Sequence, residues 1–265
     1  MSAIVIDGGL VHYEAFGRGK PVLFLHGWLG SWRYWMRTME DMADKYRTYA
    51  LDLWGFGDSD KSKPRYQVAD YVNLVENFVE NMGIHNAPLV GHALGASVAL
   101  EYAVQNPDRV QKVVTVSLPF YSDSVSRRLV DVSSNSVISK MMWWRQLPYK
   151  EVQQEAEKTG KEAISISMES VGQIDTLGRI KTIGRQANTM LLAVYGEKDD
   201  IVDPAPLRAL NTDWDNVRPI GLAGSKHFPM LDETAKFNRL LRDFLDVDAG
   251  LAALELKEEW RRRTR

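Results

Sequence analysis

The chain has 265 residues, enough for one large α/β domain with a sizeable core. It is 45% apolar and 26% charged, unlike a disordered chain, and its formal net charge of −2 gives no overall pull toward nucleic acid or an anionic membrane. The absence of cysteine excludes disulfides, thiolate metal sites and a cysteine nucleophile together.

The opening MSAIVIDGGLVHYEAFG has neither the basic flank nor the apolar run of a signal peptide. No later stretch approaches the roughly 20 apolar residues that span a bilayer, so a cytoplasmic protein without a membrane span is expected. AIVI (3–6) and LVHYEAF (10–16), with Gly8-Gly9 between them, predict a hairpin. PVLFLHG (21–27) is a near-continuous apolar run and predicts a buried central strand. A helix is expected over about 32–45, then a strand and a glycine-rich loop in RTYALDLWGFGDSD (47–60). Apolar residues at 68, 71, 72, 75, 78, 79 and 82 have helical spacing, and Gly83 stands where a C-terminal cap belongs. APLVGH (87–92) predicts a strand, ASVALEYAVQ (96–105) a helix stopped by Asn106-Pro107, and KVVTVSL (112–118) the next strand.

The alternation then lapses. Residues 119–185 are polar and helix-prone, with an apolar cluster at Met141, Met142, Trp143 and Trp144. Strands resume at TMLLAVYG (189–196) and NVRPIGLA (216–223), with a helix from about Pro204 between them. The last predicted helix carries Phe237, Leu240, Leu241, Phe244 and Leu245 on one face, and the terminal WRRRTR reads as a solvated tail. This order predicts a mostly parallel sheet with helices on both faces. The core would comprise residues 1–118 and 186–265, and 119–185 a mostly helical cap over the strand ends.

Ligands of open parallel sheets sit beyond the carboxyl ends of the strands. After 21–27 comes His26-Gly27-Trp28; after 87–92, Ala93; after 189–196, Glu197-Lys198-Asp199-Asp200; after 216–223, Gly224-Ser225-Lys226-His227. One edge thus collects a tight turn, a carboxylate and a histidine. GHALGA (91–96) resembles the G-x-S-x-G nucleophile elbow of the α/β-hydrolase superfamily, with Ala93 in place of serine. HGW (26–28) is similar to that family's oxyanion turn, LDLWGFGDSD to its D-x-x-G-x-G-x-S loop, GEKDDIVD (196–203) to its acid loop and GSKHFPMLDE (224–233) to its histidine loop.

The resemblance implies an α/β-hydrolase fold with a helical cap. It implies serine-hydrolase chemistry on a carboxylic ester or related acyl bond, the nucleophile belonging at position 93. His227 would be the general base and Asp199 its orienting acid, with Asp200 and Asp203 as neighbouring alternatives. The N–H groups of Trp28 and Leu94 would form the oxyanion hole. His26, Trp143 and Trp144 are expected on the substrate side, although His26 also fits a support for the oxyanion loop. Trp28, Trp32, Tyr34 and Trp35 fit either a pocket wall or the core. His12 and His85 read as ordinary histidines, and His92 as structural. No metal or cofactor is implied, and the expected partner is an apolar small molecule.

Ala93 leaves three readings. The chain is a serine hydrolase silenced by replacement of its nucleophile, or a natural homologue using His227 in base-catalysed lyase, isomerase or oxygenase chemistry, or a pseudo-hydrolase that only binds a ligand. The elbow, acid loop and histidine loop standing together weigh against binding alone.

Overall fold

The computed structural model describes residues 2–121, 125, 148–186, 188–210, 213–248, 250–252 and 254. Eight strands form a single sheet in the order β1-β2-β4-β3-β5-β6-β7-β8. β1 (Ser2–Ile6) and β2 (Gly9–Phe16) form the hairpin, turned by Asp7 and Gly8 with φ of 47° and 70°. β2 runs antiparallel to β4 (Tyr46–Leu51). All other neighbours pair in parallel: β3 (Lys20–Leu25), β5 (Leu89–His92), β6 (Lys112–Val116), β7 (Met190–Gly196) and β8 (Val217–Leu222).

The parallel register aligns the strand ends. Leu25 pairs with Gly91, Gly91 with Thr115, and Thr115 with Ala193. Residues a few places further on therefore converge along one edge of the sheet, however distant they are in sequence. The strands between are fully buried, as continuous apolar runs in a parallel sheet require.

Helices cover both faces. α1 (Met36–Met42) is shorter than the sequence suggests, because residues Trp32–Trp35 form a 3-10 turn ahead of it. The first amides of that turn are held from outside, Trp32 N–H by Asp52 Oδ1 and Arg33 N–H by Ser31 Oγ. α2 (Val68–Asn81) buries Val68, Tyr71, Val72, Val75, Phe78 and Val79, the stripe its spacing predicts, and Gly83 ends it at φ 65°. α3 (Leu94–Gln105) runs from the end of β5.

In the region expected to cap the strands, α4 (Lys150–Ala156) packs on the 3-10 turn and α5 (Lys161–Gly172) on α2 and α3. α6 (Thr176–Arg185) lies instead against α3, β7 and β8, with Arg179 Nε donating to Glu101 at 2.7 Å. That last helix thus belongs to the layer over the sheet. α7 (Ala205–Arg208), α8 (Pro229–Asp232) and α9 (Thr234–Asp246) complete the chain order, and α9 buries Phe237, Leu240, Leu241, Phe244 and Leu245. Among the described residues no helix is long and apolar enough to cross a membrane.

Candidate active site

The turn from β5 into α3 is the most constrained point of the edge. Ala93 sits at φ 47° and ψ −109°, outside the regions alanine ordinarily occupies. Its N–H donates to Val116 O at 2.9 Å, and its carbonyl accepts from Ala96 and Ser97. No other residue type than glycine fits on either side. A Cβ on Gly91 would lie 2.1 Å from Gly95 O, and one on Gly95 would lie 2.4 Å from Leu25 O. Strain of this kind persists only where the surroundings over-determine the backbone.

His227 lies in the loop after β8, its Nδ1 2.9 Å from Asp199 Oδ2 and 3.2 Å from Oδ1. Both side chains are almost wholly buried, at 6% and 1% exposure. Asp199 Oδ1 also accepts from the amides of Ile201 and Val202, each at 2.9 Å. Burial works against the charge of Asp199, but His227 and these two amides outweigh it and hold the carboxyl below the usual aspartate value. A carboxylate acceptor favours the tautomer with the proton on Nδ1 and the lone pair on Nε2. Asp200 is exposed, and Asp203 accepts from the amide of Ala205 beside α7.

The backbone of His227 is held as firmly as its ring. Its carbonyl accepts from His92 Nε2 at 2.9 Å and from Ser117 Oγ at 3.1 Å. The two imidazoles lie 4.6 Å apart, centroid to centroid. Burial, reinforced by the neighbouring His227, drives the pKa of His92 far down and keeps its ring neutral, as a donor to a carbonyl requires of one nitrogen only. Ser117 follows β6 at φ 50°. The strand-end rule that reaches His227 also reaches Ser117 when applied to β6.

On the other side of the elbow runs the loop 27–30. A Cβ on Gly27 would lie 3.0 Å from Ala93 Cβ, so this loop rests directly on the elbow. Leu29 has φ 58° and Tyr34 OH donates to its carbonyl at 2.9 Å. The backbone N–H groups of Trp28 and Leu94 have no acceptor among the described residues. His26 corrects one expectation: it is fully buried, Nε2 accepts from Leu53 N–H at 3.0 Å, and Nδ1 donates to Gly27 O at 2.7 Å. With both nitrogens used by backbone, it braces the loops after β3 and β4 and is not free for substrate. Its burial favours the neutral ring this pairing needs.

The aromatic residues divide. Trp35 is core, packed on Phe24 and Phe237, and Trp32 packs on His12 and Phe16. Tyr34 lies with the site, against His26, His92 and Phe228. Trp143 and Trp144, with Met141 and Met142, lie outside the described residues. Two further contacts come from the α4–α5 region. Trp28 Nε1 donates to Ser167 Oγ at 2.9 Å, and Tyr149 OH donates to Asp232, whose other oxygen accepts from Lys226 N–H beside His227.

The fold has known counterparts. A family model described as alpha/beta hydrolase fold matches residues 20–133. A carboxylesterase of Nitrososphaera gargenis superposes with a TM-score of 0.79 over 92% of this chain and 97% of its own, at 16% identity. The chain has the alpha/beta hydrolase fold. Among curated sequences, the dihydrolipoyllysine-residue acetyltransferase component of the acetoin cleaving system of Cupriavidus necator is 37% identical over 122 residues, 46% of this chain and 33% of that protein. Soluble epoxide hydrolase of a Corynebacterium species is 32% identical over 114 residues, 43% of this chain and 40% of its own length. The match thus spans a third to two-fifths of these relatives.

In this alpha/beta hydrolase fold the glycine-rich loop after β4 wraps around Asp52. Its carboxylate accepts from Trp32 N–H and Asp58 N–H and lies 2.9 Å from His12 Nδ1. A Cβ on Gly57 would fall 2.3 Å from Asp52 Oδ2. His12, Asp52 and Asp58 each bring a ligand-type atom within 4.8 Å of the others. All three are committed to protein partners, Asp58 to Lys158 at 3.0 Å and to Arg33 at 3.5 Å. The two nearby cations disfavour a metal ion there.

Proposed function

We propose that this site is an acyl-transfer site of the serine-hydrolase type in which Ala93 occupies the nucleophile's place. The chain then binds an ester of an apolar small molecule but does not turn it over, and a chain with serine at 93 hydrolyses it. The observation that carries this reading is the strained elbow at Ala93 together with a buried, oriented His227–Asp199 pair packed on the neighbouring His92. Left-handed strain at alanine costs on the order of 1 kcal/mol or more and gains nothing for a methyl group. It makes sense for a side chain that must stand clear of the turn. The N–H groups of Trp28 and Leu94, which have no acceptor among the described residues, would be the donors that a developing oxyanion needs. In the reaction, the hydroxyl of a serine at 93 attacks the carbonyl carbon and His227 Nε2 takes its proton. The tetrahedral intermediate expels the alcohol, which receives that proton, and water then repeats the sequence to release the acid.

The test is a paired assay of this chain and Ala93→Ser on chromogenic esters of graded acyl length, with a fluorophosphonate followed by intact mass. Turnover and a single adduct in the serine form alone support the reading. If neither form reacts, acyl transfer is excluded, and base-catalysed chemistry at His227 or ligand binding alone takes its place. Activity falling from acetate esters upward in chain length would remove the apolar-substrate part. The likeness to a protein named soluble epoxide hydrolase motivates a second arm. Ala93→Asp with styrene oxide asks whether a carboxylate nucleophile suits the site better.

A further inference from the structure

Trp28 carries two N–H groups that face different parts of the molecule. The backbone N–H has no acceptor among the described residues, whereas indole Nε1 donates to Ser167 Oγ at 2.9 Å in α5. Ser167 is fully buried. Its own proton returns to the carbonyl of Ala163 in the same helix, so a lone pair faces the indole. α5 is fixed on the core without help from this bond. Gly160 N–H donates to Gly55 O at 2.7 Å, and Ser170 Oγ accepts from Val68 N–H at 2.9 Å. Ala163 packs so close to Gly55 that a Cβ on that glycine would lie 2.4 Å from its own. Ser167 is therefore a rigid reference point, and the residue it holds sits in the loop that rests on the elbow.

We propose that Ser167 is a positioning residue for the oxyanion site. It sets the direction of the Trp28 backbone N–H by anchoring the indole of the same residue. Helix α5, and not the core alone, then aligns the donor that meets a tetrahedral anion. This inference rests on the acyl-transfer reading above. Without the Ser167 hydroxyl the indole N–H is buried with no acceptor, and the side chain shifts to find one. Trp28 is 4% exposed and tightly packed, so the shift passes into its backbone. Oxyanion donors are effective only over a narrow distance range. A flat ester barely senses the displacement, whereas a tetrahedral anion loses its bond.

The test uses the full chain with Ala93 in place and two probes of one shape class, both measured by calorimetry. The monoanion of ethyl benzylphosphonate mimics the tetrahedral intermediate, and ethyl phenylacetate is its flat, neutral counterpart. Ser167→Ala is expected to weaken the phosphonate about tenfold and the ester less than twofold. Ser167→Thr, which keeps the hydroxyl, restores phosphonate affinity. In the Ala93→Ser chain, Ser167→Ala should lower kcat about tenfold with KM nearly unchanged. Equal weakening of both probes, or no weakening, overturns the proposal and leaves Ser167 a packing residue. If Ser167→Ala unfolds, Trp28→Phe removes the same bond from the donor side and must give the same split. A folded parent chain that binds neither probe would instead overturn the acyl-transfer reading, and this inference with it.

Discussion

Two histidine–aspartate pairs lie among the described residues, and they are nearly the same object. His12 Nδ1 is 2.9 Å from Asp52 Oδ2, and His227 Nδ1 is 2.9 Å from Asp199 Oδ2. All four side chains are buried. In both, the carboxylate also accepts from two backbone amides, Trp32 and Asp58 at Asp52, Ile201 and Val202 at Asp199. The difference lies beyond the far nitrogen. His12 Nε2 looks toward Glu14 at 3.5 Å, inside the hairpin side of the sheet. His227 belongs to the strand-end edge, against His92 beside the elbow, where the N–H groups of Trp28 and Leu94 have no acceptor among the described residues. An oriented imidazole is thus not a catalytic group by its own geometry. The two pairs differ in their place in the fold, one on the hairpin side of the sheet and the other at the strand-end edge beside His92.

That contrast can be broken experimentally, and the strongest blow falls on the imidazoles themselves. In the Ala93→Ser chain, His227→Gln should lower ester turnover by at least about 10⁴-fold, while His12→Gln changes kcat less than about threefold. Comparable losses would mean the two pairs are not functionally distinct. The carboxylates should separate next. Asp199→Asn is expected to cost on the order of 10³–10⁴ in kcat, because the amide no longer enforces the right tautomer. Asp52→Asn should instead destabilise the fold by about 3 kcal/mol, since its amide NH2 in place of Oδ2 cannot accept from Asp58 N–H and His12 Nδ1–H. Denaturant titration reads that loss, and activity per folded molecule should survive it.

The pH dependence sharpens the comparison on the structural side. The hydrogen bond to Asp52 raises the pKa of His12 above its ordinary value, against the opposing effect of burial, with Asp58 and Glu14 adding to the rise. A raised pKa in the folded state means stability that is fully present below about pH 6.5 and fades as pH climbs through the raised value. His12→Asn should therefore lose more stability at about pH 5.5 than at about pH 9. Equal deficits at both pH values would show that His12 is neutral in the folded protein. The smallest effect concerns the elbow that only the second pair faces. Ala93→Gly relieves a left-handed backbone and should raise stability by up to about 1 kcal/mol, partly offset by the entropy of glycine in the unfolded chain.

Much of the architecture is legible in the sequence. The stripe on α2 follows from apolar residues at helical spacing, and the central strands from continuous apolar runs. The glycines at 91 and 95 announce a crowded turn, and the structure supplies the carbonyls that a Cβ would strike. Other parts were not legible. Nothing in the sequence marks Ser167 as the acceptor for Trp28, 139 positions away, or Tyr149 as the partner of Asp232. His26 shows the opposite failure. Its place beside the glycine turn suggested contact with substrate, yet backbone groups take both of its nitrogens.

The sequence by itself determined the order of strands and helices, the edge where chemistry-bearing residues gather, and the turn at Ala93. These depend on the spacing of apolar residues and on local backbone sterics, which act between near neighbours in the chain. Only the tertiary structure decided which polar atoms meet. The carbonyl of His227 is shared by His92 and Ser117, and Asp52 is claimed by His12 and not by the active edge. A hydrogen bond needs its atoms within a few tenths of an ångström. That placement is fixed by the packing of strands and helices far apart in sequence, on which the local pattern carries no information.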